Sequence, residues 1–160
     1  MRIIVVSDTH IGDYDRLPQA MKAEVAHADA VIHAGDFTSE ECYDSFIDAS
    51  KAFYAVRGNN DFFRLPAELR MELDGIKIAV IHGHQARSTY ENWLVYYFKD
   101  YQPDIIIFGH THAPLLRKMS DGTTLLNPGS VTHRRGAPYH SIAEIDTSEN
   151  PFKARIIALD

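Results

Sequence analysis

The sequence predicts an α/β fold, an α/β/β/α sandwich of two mixed β-sheets flanked by helices. Three observations predict it. The first third alternates apolar strand-like runs with helix-length segments, which implies parallel strands joined by right-handed crossovers. The rest carries hairpin signals, Asp74-Gly75 and Asp121-Gly122, which imply antiparallel additions. Finally, five polar clusters each follow directly on an apolar run, as ligand groups do at the carboxyl ends of parallel strands.

Arg2 to Val6 is largely β-branched and reads as a strand buried on both faces. Leu17, Met21, Val25 and Ala28 lie in a helix-length stretch opened by Pro18, and Ala30 to Ala34 is a second strand that stops at Gly35-Asp36. Ser39 reads as the N-cap of a helix reaching about Ser50, with Glu40 and Glu41 in its positive first turn. Lys51 to Val56 is a third strand closed by Gly58, and Leu69 to Leu73 pairs with Ile76 to Ile81 as a hairpin. A helix follows from about Ser88 to Tyr101; its Tyr90, Trp93, Leu94, Tyr97, Phe98 and Tyr101 recur at helical spacing and read as a face for core packing or a subunit contact rather than a base-stacking platform. After a strand Asp104 to Phe108, two antiparallel pairs complete the sheets: Leu115 to Met119 with Thr123 to Leu126, and Tyr139 to Asp146 with Phe152 to Leu159. No linker or repeat interrupts residues 1–160, so one domain is expected.

Composition excludes several classes. With 45% hydrophobic and 24% charged residues and dispersed Gly and Pro, the chain is neither disordered nor fibrous. No apolar run is long enough to span a membrane and no secretory signal is visible, so a cytoplasmic location without a membrane partner is expected. One cysteine, Cys42, forbids an internal disulfide and a thiolate metal cluster, and reads as a small packed residue. Sixteen basic against 22 acidic side chains give a net charge of −6, so duplex nucleic acid is not expected as a partner; a homo-oligomer stays open. The anomaly is histidine, with nine in 160 residues.

The five clusters are Asp8-Thr9-His10, Gly35-Asp36, Gly58-Asn59-Asn60-Asp61, His82-Gly83-His84 and Gly109-His110-Thr111-His112. Any one of them alone fits a helix cap or a turn. Together, at successive strand ends, they can converge on one edge. Asp8 with His10, and His110 with His112, are expected to face one pocket as alternate residues of extended segments. Carboxylate, carboxamide and imidazole without sulfur suit Mn²⁺, Fe²⁺ or Zn²⁺. His27 and His33 read as structural, His84 as either a proton donor or a solvent-lining residue, and Arg134-Arg135 as a solvated loop ahead of a phosphate clamp. Specificity is expected from loops such as Asp13 to Leu17, Phe62 to Pro66 and Val131 to Pro138.

In this order the motifs, with the Asn127-Pro128-Gly129-Ser130 turn after them, resemble the calcineurin-like metallophosphoesterase superfamily, in particular its small single-domain phosphodiesterase branch, which includes the retromer scaffold subunit. The resemblance spans residues 2 to about 135. It implies two divalent metal ions, Mn²⁺ ahead of Fe²⁺, Zn²⁺, Ni²⁺ and Mg²⁺: Asp8, His10, Asp36 and His112 around one, Asp36, Asn59, His82 and His110 around the other, with Asp36 bridging. It further implies hydrolysis of a small phosphate ester, a phosphodiester in the first instance, by a hydroxide shared between the metals, with Asp36, Asn59 and Asn60 in the catalytic set. Many relatives carry His where this chain has Asn60. A carboxamide cannot protonate a leaving oxygen, which puts esters with poor leaving groups at a disadvantage. The rival readings are a phosphomonoesterase on the same site and a non-catalytic scaffold; the seven competent ligand types count against the scaffold.

Overall fold

The structure, a computed structural model, describes residues 1–86 and 89–160. One sheet is built on β1 (Arg2–Val6), β2 (Ala30–His33) and β3 (Phe53–Ala55), which run parallel. It continues antiparallel through β9 (Ser141–Asp146) and β10 (Lys153–Ala158), in the order β10-β9-β1-β2-β3. The other sheet contains β4 (Glu68–Leu73), β5 (Ile76–Ile81), β6 (Ile105–Phe108), β7 (Leu115–Lys118) and β8 (Thr124–Asn127) in the order β4-β5-β6-β8-β7, with β5, β6 and β8 parallel. Helices α1 (Gln19–His27) and α2 (Glu40–Ala49) pack on the first sheet, and α3 (Tyr90–Tyr97) on the second. The expected α/β/β/α sandwich is what forms.

The pleat explains the unbroken apolar runs. Ile3 and Val5 point between the sheets toward the layer of Ile78, Val80 and Ile107, while Ile4 and Val6 point outward into the layer of Met21, Val25 and Phe46. On the far side, Ala79, Ile81, Ile106 and Phe108 pack with Leu94 and Phe98. Helix α2 starts at Ser39, whose Oγ accepts the Cys42 N–H at 3.1 Å. Helix α1 starts at Pro18 without a side-chain cap, so burial of Met21 and Val25, worth about 1.5–3 kcal/mol each, matters more to its stability. No helix among the described residues is long and apolar enough to cross a membrane.

Two local expectations change. The helix expected from about Ser88 to Tyr101 is regular only over Tyr90–Tyr97; Ser88 lies outside the described residues. Its C-terminal end turns where the N–H groups of Tyr101 and Gln102 both reach Phe98 O, at 2.9 and 3.1 Å, and Gln102 adopts φ 53° before Pro103. Tyr97, expected on the packing face, is 42% exposed and its hydroxyl donates to Glu68. Within the Asp13 to Leu17 loop, Tyr14–Arg16 form a 3-10 turn capped by Asp13, too short to carry a periodic signal.

Candidate metal centre

The polar clusters leave the carboxyl ends of β1, β2, β3, β5 and β6 and meet at one edge of the sandwich, where parallel strands present ligand groups. Backbone hydrogen bonds tie them together: Asp8 N–H to Gly35 O at 2.9 Å, His10 N–H to Asp36 O at 3.1 Å and Gly109 N–H to His82 O at 3.1 Å.

Asp8 and His10 do converge with His110 and His112, but extended backbone is not the cause. Asp8, His10, Asp36, His110 and His112 all have left-handed backbones, with φ of 53°, 48°, 65°, 65° and 59°. Asp and His adopt this region more readily than most L residues, and such strain persists where surrounding contacts over-determine it. Two glycines allow the loops to close: a Cβ on Gly58 would stand 2.1 Å from Asp36 Oδ1, and one on Gly109 2.0 Å from Ser7 Oγ.

The donor atoms form one continuous group. Asp8 Oδ1 is 3.3 Å from His112 Nε2 and 3.9 Å from His10 Nε2, which lies 3.2 Å from His112 Nε2. Asp36 Oδ2 is 3.3 Å from His10 Nε2 and 3.5 Å from His82 Nε2. Asn59 Oδ1 then stands 3.0 Å from His82 Nε2 and 3.1 Å from His110 Nδ1. Donors about 2.0–2.1 Å from a cation stand about 3.0–3.4 Å from one another, so these separations suit a coordination shell. Asp8, Asp36, His82 and His112 are buried, whereas Asn59 is exposed, so the group opens to solvent on the Asn59 side. Two triplets, Asp8 with His10 and His112 and Asp8 with Asp36 and His82, each present donor atoms close enough for a single ion.

Hydrogen bonds behind the group orient the rings. His82 Nδ1 donates to Ala34 O at 2.7 Å and His112 Nδ1 donates to His133 O, which turns both Nε2 atoms inward. Asp8 Oδ2 accepts from Ser7 Oγ at 2.6 Å and from His110 N–H at 3.0 Å, while Asp8 Oδ1 is buried with no hydrogen-bond partner. Acceptors massed face to face, one of them an orphaned carboxylate oxygen, fit a cation between them.

The electrostatics suit a cation at the two carboxylates and at His10 and His110, and oppose one at His82, whose ring must shed its Nε2 proton to join a coordination shell. Burial alone would raise both carboxyls, yet the His112 and His82 imidazoles beside Asp8 hold it below the usual range, and His82 and Asn60 do the same for Asp36. Burial works against a charged His82, but the Asp36 hydrogen bond and both carboxylates raise it above the ordinary histidine value. Burial lowers His10 and His110, favouring the neutral ring that ligates a metal. His84 is exposed, its ring 5.7 Å from that of His82.

Several residues that shape the site carried no separate sequence signal. Asp61 accepts backbone N–H groups from Asp36, Thr38 and Gly58. Ser130 Oγ donates to Asp8 O at 2.7 Å, Thr132 Oγ1 to Thr9 O at 2.6 Å and Asn127 Nδ2 to Gly109 O at 2.9 Å. Apart from Thr132, these lie inside the quoted motifs, which was the available clue. Asn60 does not point away from the donors: its backbone and side-chain N–H groups donate to Asp36 Oδ1 and Oδ2, each at 2.8 Å.

Comparison with known proteins bears on this geometry. The chain is 38% identical over 164 residues to a probable metallophosphoesterase of Methanocaldococcus jannaschii, with 100% of this chain and 82% of that protein covered. It is 28% identical to a phosphodiesterase of the same organism, with 98% of this chain and 99% of that one covered. The fold matches Vps29 of Entamoeba histolytica, solved in complex with Zn²⁺, at a TM-score of 0.80, 22% identity and 100% coverage of both chains. Because residues 1–150 also match the sequence profile of the calcineurin-like phosphoesterase superfamily domain, the chain belongs to that superfamily.

Proposed function

We propose that residues 1–160 make up one binuclear metal-dependent phosphodiesterase acting in the cytoplasm on a small phosphate ester. Asp8, His10, Asp36 and His112 hold one divalent cation, and Asp36, Asn59, His82 and His110 the other. The carrying observation is the position of Asp36 Oδ2, 3.3 Å from His10 Nε2 and 3.5 Å from His82 Nε2, so that one oxygen borders both donor sets. Asp8 Oδ1 borders both as well, but at 3.9 Å from His10 and from His82, which favours Asp36 as the bridge.

Bound cations supply Lewis-acid stabilisation of the phosphoryl oxygens and lower the pKa of an attacking water. The chain supplies the rest. Ala34 O and His133 O keep His82 and His112 turned toward the group, and Asn60 holds both oxygens of Asp36. No imidazole stands at position 60 to protonate a departing oxygen, so esters whose leaving group departs as a stable anion are preferred. The phosphodiester preference is supported by similarity to the archaeal phosphodiesterase. The nitrogen and oxygen donor set supports Mn²⁺ first, with Fe²⁺, Zn²⁺, Ni²⁺ and Mg²⁺ as alternatives.

The test is to strip the protein with a chelator, reload it with each metal in turn, count bound ions by elemental analysis, and assay bis(p-nitrophenyl) phosphate beside p-nitrophenyl phosphate. Two ions per chain and faster diester hydrolysis with Mn²⁺ are expected. Monoester-only turnover would favour the phosphomonoesterase, and inactivity with every metal would favour the scaffold.

A further inference from the structure

A cleft of about 290 Å³ opens beside the metal centre, and every residue lining it is a histidine or an arginine: His10, His112, His133, Arg134 and Arg135. It contains no carboxylate, in a chain whose net charge is −6. Arg2, Arg70, Arg117 and Arg155 sit in ion pairs with glutamates, whereas among the described residues Arg134 and Arg135, like Arg16, Arg57 and Arg64, form none; Arg134 and Arg135 are the two that line this cleft. Asp160, whose carboxyl feels the charge of Arg134, is engaged by the ring and N–H of His140.

The backbone places this charge. Arg135 has φ 45° and the following Gly136 φ 94°, a left-handed turn, and Arg135 Nη1 donates to His110 O at 3.4 Å. Arg134 Nη1 donates to Pro138 O at 3.1 Å. Each guanidinium carries five N–H donors, so most remain available in a geometry matched to phosphate or carboxylate. Two adjacent unpaired cations repel each other, and an anion received between them relieves that repulsion.

We infer that this cleft receives a second anionic group of the substrate, a phosphate or a carboxylate separate from the ester being hydrolysed, with Arg135 as the principal contact and Arg134 beside it. The inference rests on the phosphoesterase reading of the adjacent centre, where the bound cations meet the charge of the scissile phosphate.

Two substrate pairs with the same p-nitrophenolate leaving group test it on the Mn²⁺-loaded protein. One pair is the p-nitrophenyl ester of thymidine 5′-phosphate with and without a 3′-phosphate; the other is ethyl and 2-carboxyethyl p-nitrophenyl phosphate. In at least one pair, the member with the extra anion should show kcat/KM higher on the order of tenfold, expressed in KM. Which pair responds tells phosphate from carboxylate. The double variant Arg134→Gln/Arg135→Gln should bring that ratio close to one, and removal of a remote charge by Lys51→Gln should not. A wild-type ratio of one in both pairs, or a ratio unmoved in the double variant, overturns the inference. Calorimetric binding of thymidine 3′,5′-bisphosphate to the metal-free protein at pH 8 separates the two readings. If hydrolysis fails with every metal but the double variant still binds on the order of tenfold more weakly, the phosphoesterase reading falls and the cleft stands; equal binding by both proteins removes the cleft.

Discussion

Asp61 holds Asp36 through its backbone: Asp61 Oδ2 accepts the Asp36 N–H at 2.8 Å. The same oxygen accepts the Gly58 N–H at 2.8 Å, and Oδ1 accepts the Thr38 N–H at 2.9 Å. Asp36 and Thr38 are both left-handed, at φ 65° and 74°, so one buried carboxylate pins the strained turn that carries the proposed bridge.

Asp61→Asn should therefore damage the centre without touching a ligand. A carboxamide keeps one acceptor oxygen and turns N–H groups toward backbone N–H groups, leaving buried donors unpaired at about 1–3 kcal/mol. Urea unfolding of the metal-free protein should show a loss of that size, and metal titration should show weaker binding. Unchanged affinity would mean that the turn holds itself.

Gly109→Ala probes the contact between the β1 and β6 loops. Its new Cβ would meet Ser7 Oγ at 2.0 Å and Asp8 Oδ2 at 2.7 Å, an overpacking worth about 1–3 kcal/mol. Adding Ser7→Ala removes the nearer obstacle, so the double variant should be less destabilised than the two single losses added together. Additive losses in thermal unfolding would place the strain elsewhere.

His33 sets a pH dependence. Burial lowers its pKa to about 3, against the pull of Asp8, and the ring stacks on Phe37 at 3.6 Å between centroids. Its unfolded pKa is about 6.5. Because the folded value is depressed, the unfolded chain takes up a proton first, so this contribution is complete above about 6.5 and is lost as the pH falls toward about 3, by about 1.4 kcal/mol per pH unit. Denaturant unfolding of metal-free protein between pH 6 and about 4 should be steeper in pH for wild type than for His33→Gln by about one proton. Identical slopes would show that carboxylates account for all the acid sensitivity.

Asn60→His tests the missing acid. Wild type should hydrolyse aryl diesters far faster than alkyl diesters, with rates steeply dependent on leaving-group pKa. The variant gives up the carboxamide bond to Asp36 Oδ2 and gains a proton donor, so alkyl esters should improve while activated aryl esters do not. A shallow wild-type slope would point to another donor, with exposed His84 the first to examine.

Much of this molecule was legible in its residues. Strand positions followed from apolar runs, the hairpins at β4–β5 and β7–β8 from their Asp-Gly turns, and α2 from Ser39, because each is written in neighbouring residues. The donor residues were legible as types and order, since the ends of parallel strands place such groups on one edge. The tertiary structure alone decided their direction. No local pattern makes Asp8, His10, Asp36, His110 and His112 left-handed; long-range bonds hold them there, such as Ser130 Oγ to Asp8 O across 122 residues and His10 N–H to Asp36 O. The same holds for the tie of Asn60 to Asp36, and for the Arg135 side chain, which a loop 25 residues further along the chain brings to His110 O. Periodicity records what a residue's neighbours in sequence do. Which way a strained loop points depends on groups that only folding makes neighbours.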